Sequence, residues 1–482
     1  MNFRDLELGF ADAEKEFTRI PNYFGNIFYD PQCTLNKLIN GWEFLLIGRK
    51  GVGKSAYSSK IRSMTDQGIQ TYHLPLNDFE YSTFEKTCTD KNITGTQKFK
   101  ASWDFVLLLI IYKGLYNIMN ISESDELNKA TTLLGRLNFS IEKTYKQQIT
   151  SLSKLKLGTN IGIFDIEFEK EFGTKPTSFI ERIGSLNDYL LEVLKDISLN
   201  GQKLFILIDG VDDILRYKKN QLDILSCLVR SVDYINDKLS SLESKIKIIL
   251  FIREDILINI TDTDINKIKR DSSNILNWSD RTQDLKEIIK LRIKYSGVSE
   301  DELYNYIENM FPRKIREKNA WDYILDFTLY KPRDVIQFFK CCQELYGNNS
   351  MLSYSEMQSV IKYYSREYFI EEMKNELAGF SKDSLINIVP TVFKKLNNRG
   401  FSLLLFTRIM KEQTITNDFT DEDIKYLLYL LFEAGYIGQL HQTGTRSRKS
   451  VQFKYRNPSA KIDYSYEFII HKGLFSGLGI RI

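Results

Sequence analysis

Residues Trp42–Met64 read WEFLLIGRKGVGKSAYSSKIRSM, and within them Gly48–Ser55, GRKGVGKS, fit the pattern GxxxxGK[ST] in full. The apolar run before the glycines predicts a strand, and SAYSSKIRSM after them predicts a helix. Phosphate chemistry needs this context. Glycines let the backbone fold into a nest whose N–H groups face phosphate oxygens, and the next helix aims its positive end at the same anion. Lys54 is then placed to reach the β and γ phosphates, and the Ser55 hydroxyl to ligate Mg²⁺. The expected nucleotide-contacting set is Gly48, Arg49, Lys50, Gly51, Val52, Gly53, Lys54, Ser55 and Ala56, with ATP and Mg²⁺ as cofactors.

Working outward, Lys203–Ile208 (KLFILI) and Ile246–Ile252 (IKIILFI) are continuous apolar runs, as expected of parallel strands covered on both faces. Gln70–Leu76 and a short Asn274–Trp278 complete an alternation of strands and helices that predicts an α/β core with a parallel sheet over 42–285. The stretch between the second and third strands is too long for one crossover, so an insertion is expected over about 80–200. It reads as helices at Ala101–Met119, around Asp125–Leu155 and at Thr177–Leu199. A β-hairpin is predicted from the alternation Ile161, Ile163, Asp165, Glu167 against Gly162, Phe164, Ile166, Phe168.

A phosphate loop calls for a carboxylate on a neighbouring strand to hold Mg²⁺. Asp209, at the end of KLFILID, supplies one, and a metal offsets the cost of burying its charge. Asp212 and Asp213 follow. Either can orient or deprotonate an attacking water, and both also suit the cap of the helix expected from Ile214.

The remaining regions are a segment at 1–41 expected to pack on the core, a helical lid over 286–365, and a C-terminal domain over 366–482. In the last, a helix at Asp421–Gly435 precedes YIGQL, a polar turn and VQFKYRN, the helix–strand–turn–strand order of a winged helix. Arg446, Arg448, Lys449, Lys454 and Arg456 cluster there with no acid between His441 and Arg456, which makes them candidates for nucleic-acid phosphates. His471 reads as a structural histidine. The apolar end, GLFSGLGIRI, is expected to dock on the body or on a partner.

Composition narrows the class. With 26 Gly and 8 Pro in 482 residues the chain is no collagen or linker. A net charge of +3 excludes a polycation, so any nucleic-acid contact must be local. The five cysteines form no CxxC pair and the three histidines lie far apart, which argues against a disulfide scaffold or a His/Cys metal site. The N-terminus carries no apolar signal region, and the longest apolar run, Phe105–Tyr112, is short for a membrane span. A cytoplasmic protein with no membrane contact is expected.

The strand between the phosphate-loop strand and the Asp209 strand resembles the ASCE division of P-loop NTPases, and no guanine-specifying N/TKxD stretch stands out. IDGVDD resembles the hhhhDGxDE box of STAND ATPases, with Asp213 where that box has Glu. Arg253, in IREDIL at the tip of the fourth strand, lies where similar ATPases sense the γ-phosphate. WSDRTQDLKEIIKLRI (Trp278–Ile293) resembles the strand-to-lid junction of AAA+ initiators of the origin-recognition type and of STAND proteins. Arg333, in YKPRDVIQFF, lies where those families place a second sensor arginine.

The whole chain looks like bacterial STAND/AAA+-like P-loop ATPases with a C-terminal winged-helix domain, of a kind often found in genome-defence loci. The resemblance implies a nucleotide switch with slow ATP hydrolysis, coupled to homo-oligomerisation, a partner protein or nucleic acid, in anti-phage defence. Two other functions fit the motifs: a small-molecule phosphotransferase, and a non-catalytic DNA-binding scaffold that holds nucleotide.

Overall fold

A computed structural model describes residues 1–480 except 78, 88–98, 119–123, 159–160, 176–177, 211–218, 261, 304, 398–399, 414–418 and 444–447; for 161, 163, 219–220, 442–443 and 448–449 it describes the backbone alone. The chain forms two compact units, one of Gln32–Gly48 and Tyr57–Ile275, the other of Met1–Pro31, Arg49–Ala56 and Leu276–Ile482.

The first unit is built on a sheet of β1 (Leu45–Gly48), β2 (Ile69–Pro75), β3 (Lys203–Asp209), β4 (Ile246–Arg253) and β5 (Ser273–Leu276), in the order β2-β3-β4-β1-β5. The β2–β3, β3–β4 and β4–β1 pairs run parallel. Leu204, Ile206–Ile208 and Ile248–Ile252 are fully buried, as their unbroken apolar sequences require. Asp209 is not on the strand beside the phosphate loop, as a neighbouring-strand carboxylate would be. β4 lies between β3 and β1, and β2, the strand that separates β1 from β3 in the chain, lies at the edge of the sheet.

Among its described residues the regular elements of the insertion are all helices. The Lys100–Ile118 helix is long and apolar enough to cross a membrane by composition alone. Here it is core: Trp103 Nε1 donates to the Ile224 carbonyl at 2.9 Å and Tyr112 OH to the Leu190 carbonyl at 2.8 Å. The hairpin expected near residue 165 is instead a helix, Ile161–Phe172. Its apolar residues satisfy either period, and the helical one brings Phe164, Phe168 and Phe172 into ring contact at 5.7 and 4.3 Å. It also turns Asp165 to a buried bidentate pair with Arg182 at 2.9 and 3.2 Å.

In the second unit the Thr282–Tyr295 and Pro332–Tyr346 helices anchor the lid. The 1–41 segment does not pack on the core as one piece. Residues up to Pro31 belong to the lid unit, where Glu16 is buried against Arg292 at 3.1 Å and Gln343 Nε2 donates to the Phe3 and Leu6 carbonyls at 3.1 and 2.9 Å. The Thr34–Asn40 helix sits with the sheet, because Lys247 of β4 donates to the carbonyls of Leu38 and Gly41 at its C-terminal end, at 2.7 and 2.8 Å.

The lid continues into one long helical run: Tyr354–Tyr364, a π turn at Ser365–Phe369, and Ile370–Leu377. The apolar C-terminal end docks on this run. Its Lys472–Leu478 helix meets the π turn, where Ser365 Oγ donates to the Gly473 carbonyl at 2.5 Å and accepts from Gly477 N at 2.9 Å. Helices Asp383–Leu396, Leu403–Gln413 and Asp421–Ala434 then lead to an antiparallel sheet of β6 (Ile437–Thr443), β7 (Arg448–Gln452) and β8 (Glu467–Ile470), in the order β7-β6-β8. Phe401 and Phe468 exchange backbone hydrogen bonds of 2.8 and 2.7 Å, which adds a short extra rung outside β8.

Candidate phosphate-binding site

The parallel register sets which residues share the C-terminal edge of the sheet. Gly48 of β1 is paired with Arg253 of β4, and Asp209 ends β3 two strands from β1. Ligand sites in open α/β sheets form at this edge, outside the strand carboxyl ends. Asp209 Oδ1 accepts from Gly210 N at 2.7 Å. Arg253 is buried and held by Asp255, with Nε–Oδ1 at 2.9 Å. Asp212 and Asp213 lie outside the described residues.

The loop leaves β1 at Gly48 and enters the Lys54–Arg62 helix. Gly51 and Gly53 have φ of +81° and +108°, values that residues with a Cβ adopt only under strain. Val52 N donates to the Arg49 carbonyl at 3.4 Å and Ala56 N to Gly53 at 2.9 Å. Lys54, the first helical residue, is 6% exposed with Nζ 3.4 Å from the Arg49 carbonyl, while Ser55 is exposed.

Residues of the C-terminal half contact the loop. Trp278 Nε1 donates to the Val52 carbonyl at 3.0 Å. Arg49 donates to the carbonyl of Ala434, the last residue of the Asp421–Ala434 helix. The turn beyond is Gly435, at φ +88°, where a Cβ would stand 3.0 Å from Tyr455 and 3.2 Å from the Arg49 guanidinium. Arg333 N lies 3.5 Å from the Gly51 carbonyl, and its guanidinium is 3.6 Å from Glu372. Lys50 meets the same carboxylate at 3.5 Å.

The start of the Pro332–Tyr346 helix is aimed by strain and burial together. Tyr330 takes φ +54°, a left-handed conformation costing roughly 1–2 kcal/mol outside glycine. It is offset by packing, with the Tyr455 ring at 5.2 Å and the Arg456 guanidinium at 5.1 Å. Beside it, Lys331 is buried and paired with buried Glu376. Burial pushes the Lys331 amine below its ordinary range against the pull of Glu376. Asp334 is buried too, accepting from Leu329 N at 2.8 Å and Tyr368 OH at 2.9 Å, and burial raises its carboxyl above the usual range.

The structure thus brings Arg333 to the phosphate loop, and it adds Trp278, Lys331, Glu372 and Glu376. No local pattern marks Glu372 or Glu376, because their partners lie far away in the chain. The basic cluster of the tail does not survive intact. Lys454 pairs with Glu433 at 3.5 Å and donates to the Ala460 carbonyl at 2.9 Å. Arg456 pairs with Asp326 at 3.5 Å and its Nε donates to Tyr455 OH at 3.0 Å. Lys454 is largely covered beside Glu433, whereas Arg456 keeps an exposed side chain next to buried Asp326. Arg448 and Lys449 lie on β7, and Arg446 falls outside the described residues. His471 is structural: Nδ1 accepts from Gly473 N at 3.0 Å, Nε2 meets Tyr455 OH at 3.0 Å, and burial lowers its pKa to about 3.

Residues 283–371 match the model of the FunZ-associated C-terminal helical domain. No curated protein matches the chain. Similar solved structures include the Orc1 protein of Aeropyrum pernix in complex with DNA, at 10% identity and a TM-score of 0.39, covering 91% of this chain and 92% of that one. A Walker-type ATPase of Pyrococcus abyssi aligns at 12% identity and a TM-score of 0.37, covering 94% and 96%. The Cdc6p of Pyrobaculum aerophilum aligns at 13% and 0.33, covering 95% and 98%.

Proposed function

We propose that the chain is an ATP-binding, Mg²⁺-dependent P-loop NTPase that works as a nucleotide-controlled switch. The observation that carries this is the loop itself: two glycines at positive φ, then Lys54 opening a helix, directly after a strand whose carboxyl end shares its sheet edge with Asp209 and Arg253. Ser55 and Asp209 would hold Mg²⁺. A hydroxyl and a carboxylate are the hard oxygen donors this ion prefers, and when bound it neutralises phosphate charge. Asp212 or Asp213 is proposed as the base for water, and Arg333 as the cation that meets the γ-phosphate.

The three helices, the β6–β7 hairpin and the Phe401–Phe468 rung support a winged-helix reading of the tail. Its partner is proposed to be protein, a second copy or another chain, in preference to DNA. Lys454 is covered beside Glu433, Arg456 is paired with Asp326 although exposed, and the helix before β6 begins with Asp421, Glu422 and Asp423. Anti-phage defence is the biological setting the resemblance suggests.

Lys54→Ala tests the core reading. Calorimetric titration with ATP and Mg²⁺ is expected to show binding in the wild type and none in the variant, and ATP-dependent changes in sedimentation are expected to vanish with it. Equal ATP binding by the two proteins would remove the nucleotide site from this loop.

A further inference from the structure

Among the described residues, Glu372 brings a carboxylate to the phosphate loop, and its contacts differ in kind from those around it. Glu372 Oε1 stands 3.5 Å from Lys50 Nζ and 3.6 Å from Arg333 Nη1. Both distances exceed hydrogen-bond length, so the carboxylate is shared by two cations without being locked to either. Glu376, one turn further along the same helix, is the opposite case: it and Lys331 are 5% and 2% exposed and tightly paired. An i, i+4 spacing puts both acids on one face, so the helix carries a fixed anchor and an exchangeable contact side by side.

We propose that Glu372 is an autoinhibitory latch: its carboxylate occupies the cations that a nucleotide's terminal phosphates recruit, so that nucleotide binding and the Glu372 contacts exclude one another. This rests on the nucleotide reading of the loop. A triphosphate entering the nest brings several negative charges toward Lys50 and Arg333, and a carboxylate held between those two cations both competes for them and repels the newcomer. When phosphate takes the cations, the Ile370–Leu377 helix keeps its Lys331–Glu376 anchor and loses its hold on the loop.

The helix is not isolated. The π turn before it is pinned to the C-terminal Lys472–Leu478 helix through Ser365. Release of Glu372 is therefore felt by the segment that joins lid to tail, and the latch is the point at which loop occupancy becomes a change in the C-terminal domain.

The test is equilibrium binding of ATP and ADP to the full chain as wild type, Glu372→Gln and Lys54→Ala, with amide exchange over 366–377 in the wild type. Glu372→Gln keeps the shape and removes the charge. It is expected to bind ATP about tenfold more tightly than wild type, with a smaller gain for ADP, and exchange in 370–377 is expected to rise when ATP is bound. Wild-type binding that Glu372→Gln leaves unchanged or weakens overturns the latch, as does exchange in that helix that ATP does not alter. Binding by Glu372→Gln but not by wild type supports the latch in its strongest form. Failure of both to bind removes the nucleotide reading itself, and the latch with it. Glu376→Gln serves as the contrasting variant, expected to lower the melting temperature because it leaves Lys331 buried without its partner.

Discussion

Arg253 and Arg333 are both arginines at the end of an element, and they are held in opposite ways. Arg253 has a side chain 7% exposed and a bidentate carboxylate two residues away. Arg333 is 32% exposed, and its carboxylate, at 3.6 Å, is shared with Lys50. A short local pair fixes a guanidinium where it stands, whereas a long shared one leaves it able to exchange partners. The tip of β4 is therefore a place where charge is settled, and the start of the Pro332–Tyr346 helix a place where charge is available.

Substitution breaks or sharpens that contrast. Arg333→Ala is expected to lower ATP turnover by about a hundredfold while leaving the melting temperature nearly unchanged. Turnover equal to wild type in a steady-state phosphate-release assay would show that this guanidinium is settled too. Arg253→Ala should do the reverse and destabilise the fold by about 2 kcal/mol, below the range for fully buried pairs because Asp255 is partly exposed. Urea unfolding measures it, and a loss under about 0.5 kcal/mol would place Arg253 with the exchangeable charges.

His471 extends the contrast to a group that settles by losing its charge. Its native pKa of about 3 lies below the ordinary value of 6.5 because burial penalises the cation. The unfolded chain therefore binds a proton that the native chain does not between those two values. The His471 contribution is complete above about pH 6.5 and falls as pH drops toward 3, by up to about 1.4 kcal/mol per pH unit. His471→Gln should flatten that part of a stability–pH curve, and an unchanged slope would refute the assignment.

The parts of the molecule legible in the sequence are those whose physics is local or periodic. β3 and β4 declare themselves as apolar runs because both faces are covered, and the phosphate loop does so because a backbone nest requires glycine at fixed spacing. The Ile161–Phe172 stretch misleads because its apolar residues fit a period of two as well as a helix, and what decides is Phe164 over Phe168 over Phe172 and the Arg182 partner. Lys454 and Arg456 read as a free basic cluster because Glu433 and Asp326, which neutralise them, are supplied by other segments. Glu372 and Trp278 go unseen for the same reason, since each meets the loop across more than two hundred residues of chain.

The π turn at Ser365–Phe369 gives the second half of that helical run one residue more than a regular helix would use. Each residue rotates a helix by about 100°, so the turn acts as a phase setting for everything after it. Deleting a single residue there would swing Glu372 and Glu376 off their cations together, without altering either side chain. The link between lid and tail is thus written in the count of residues as well as in their identity, and a change of length at this point moves two carboxylates at once.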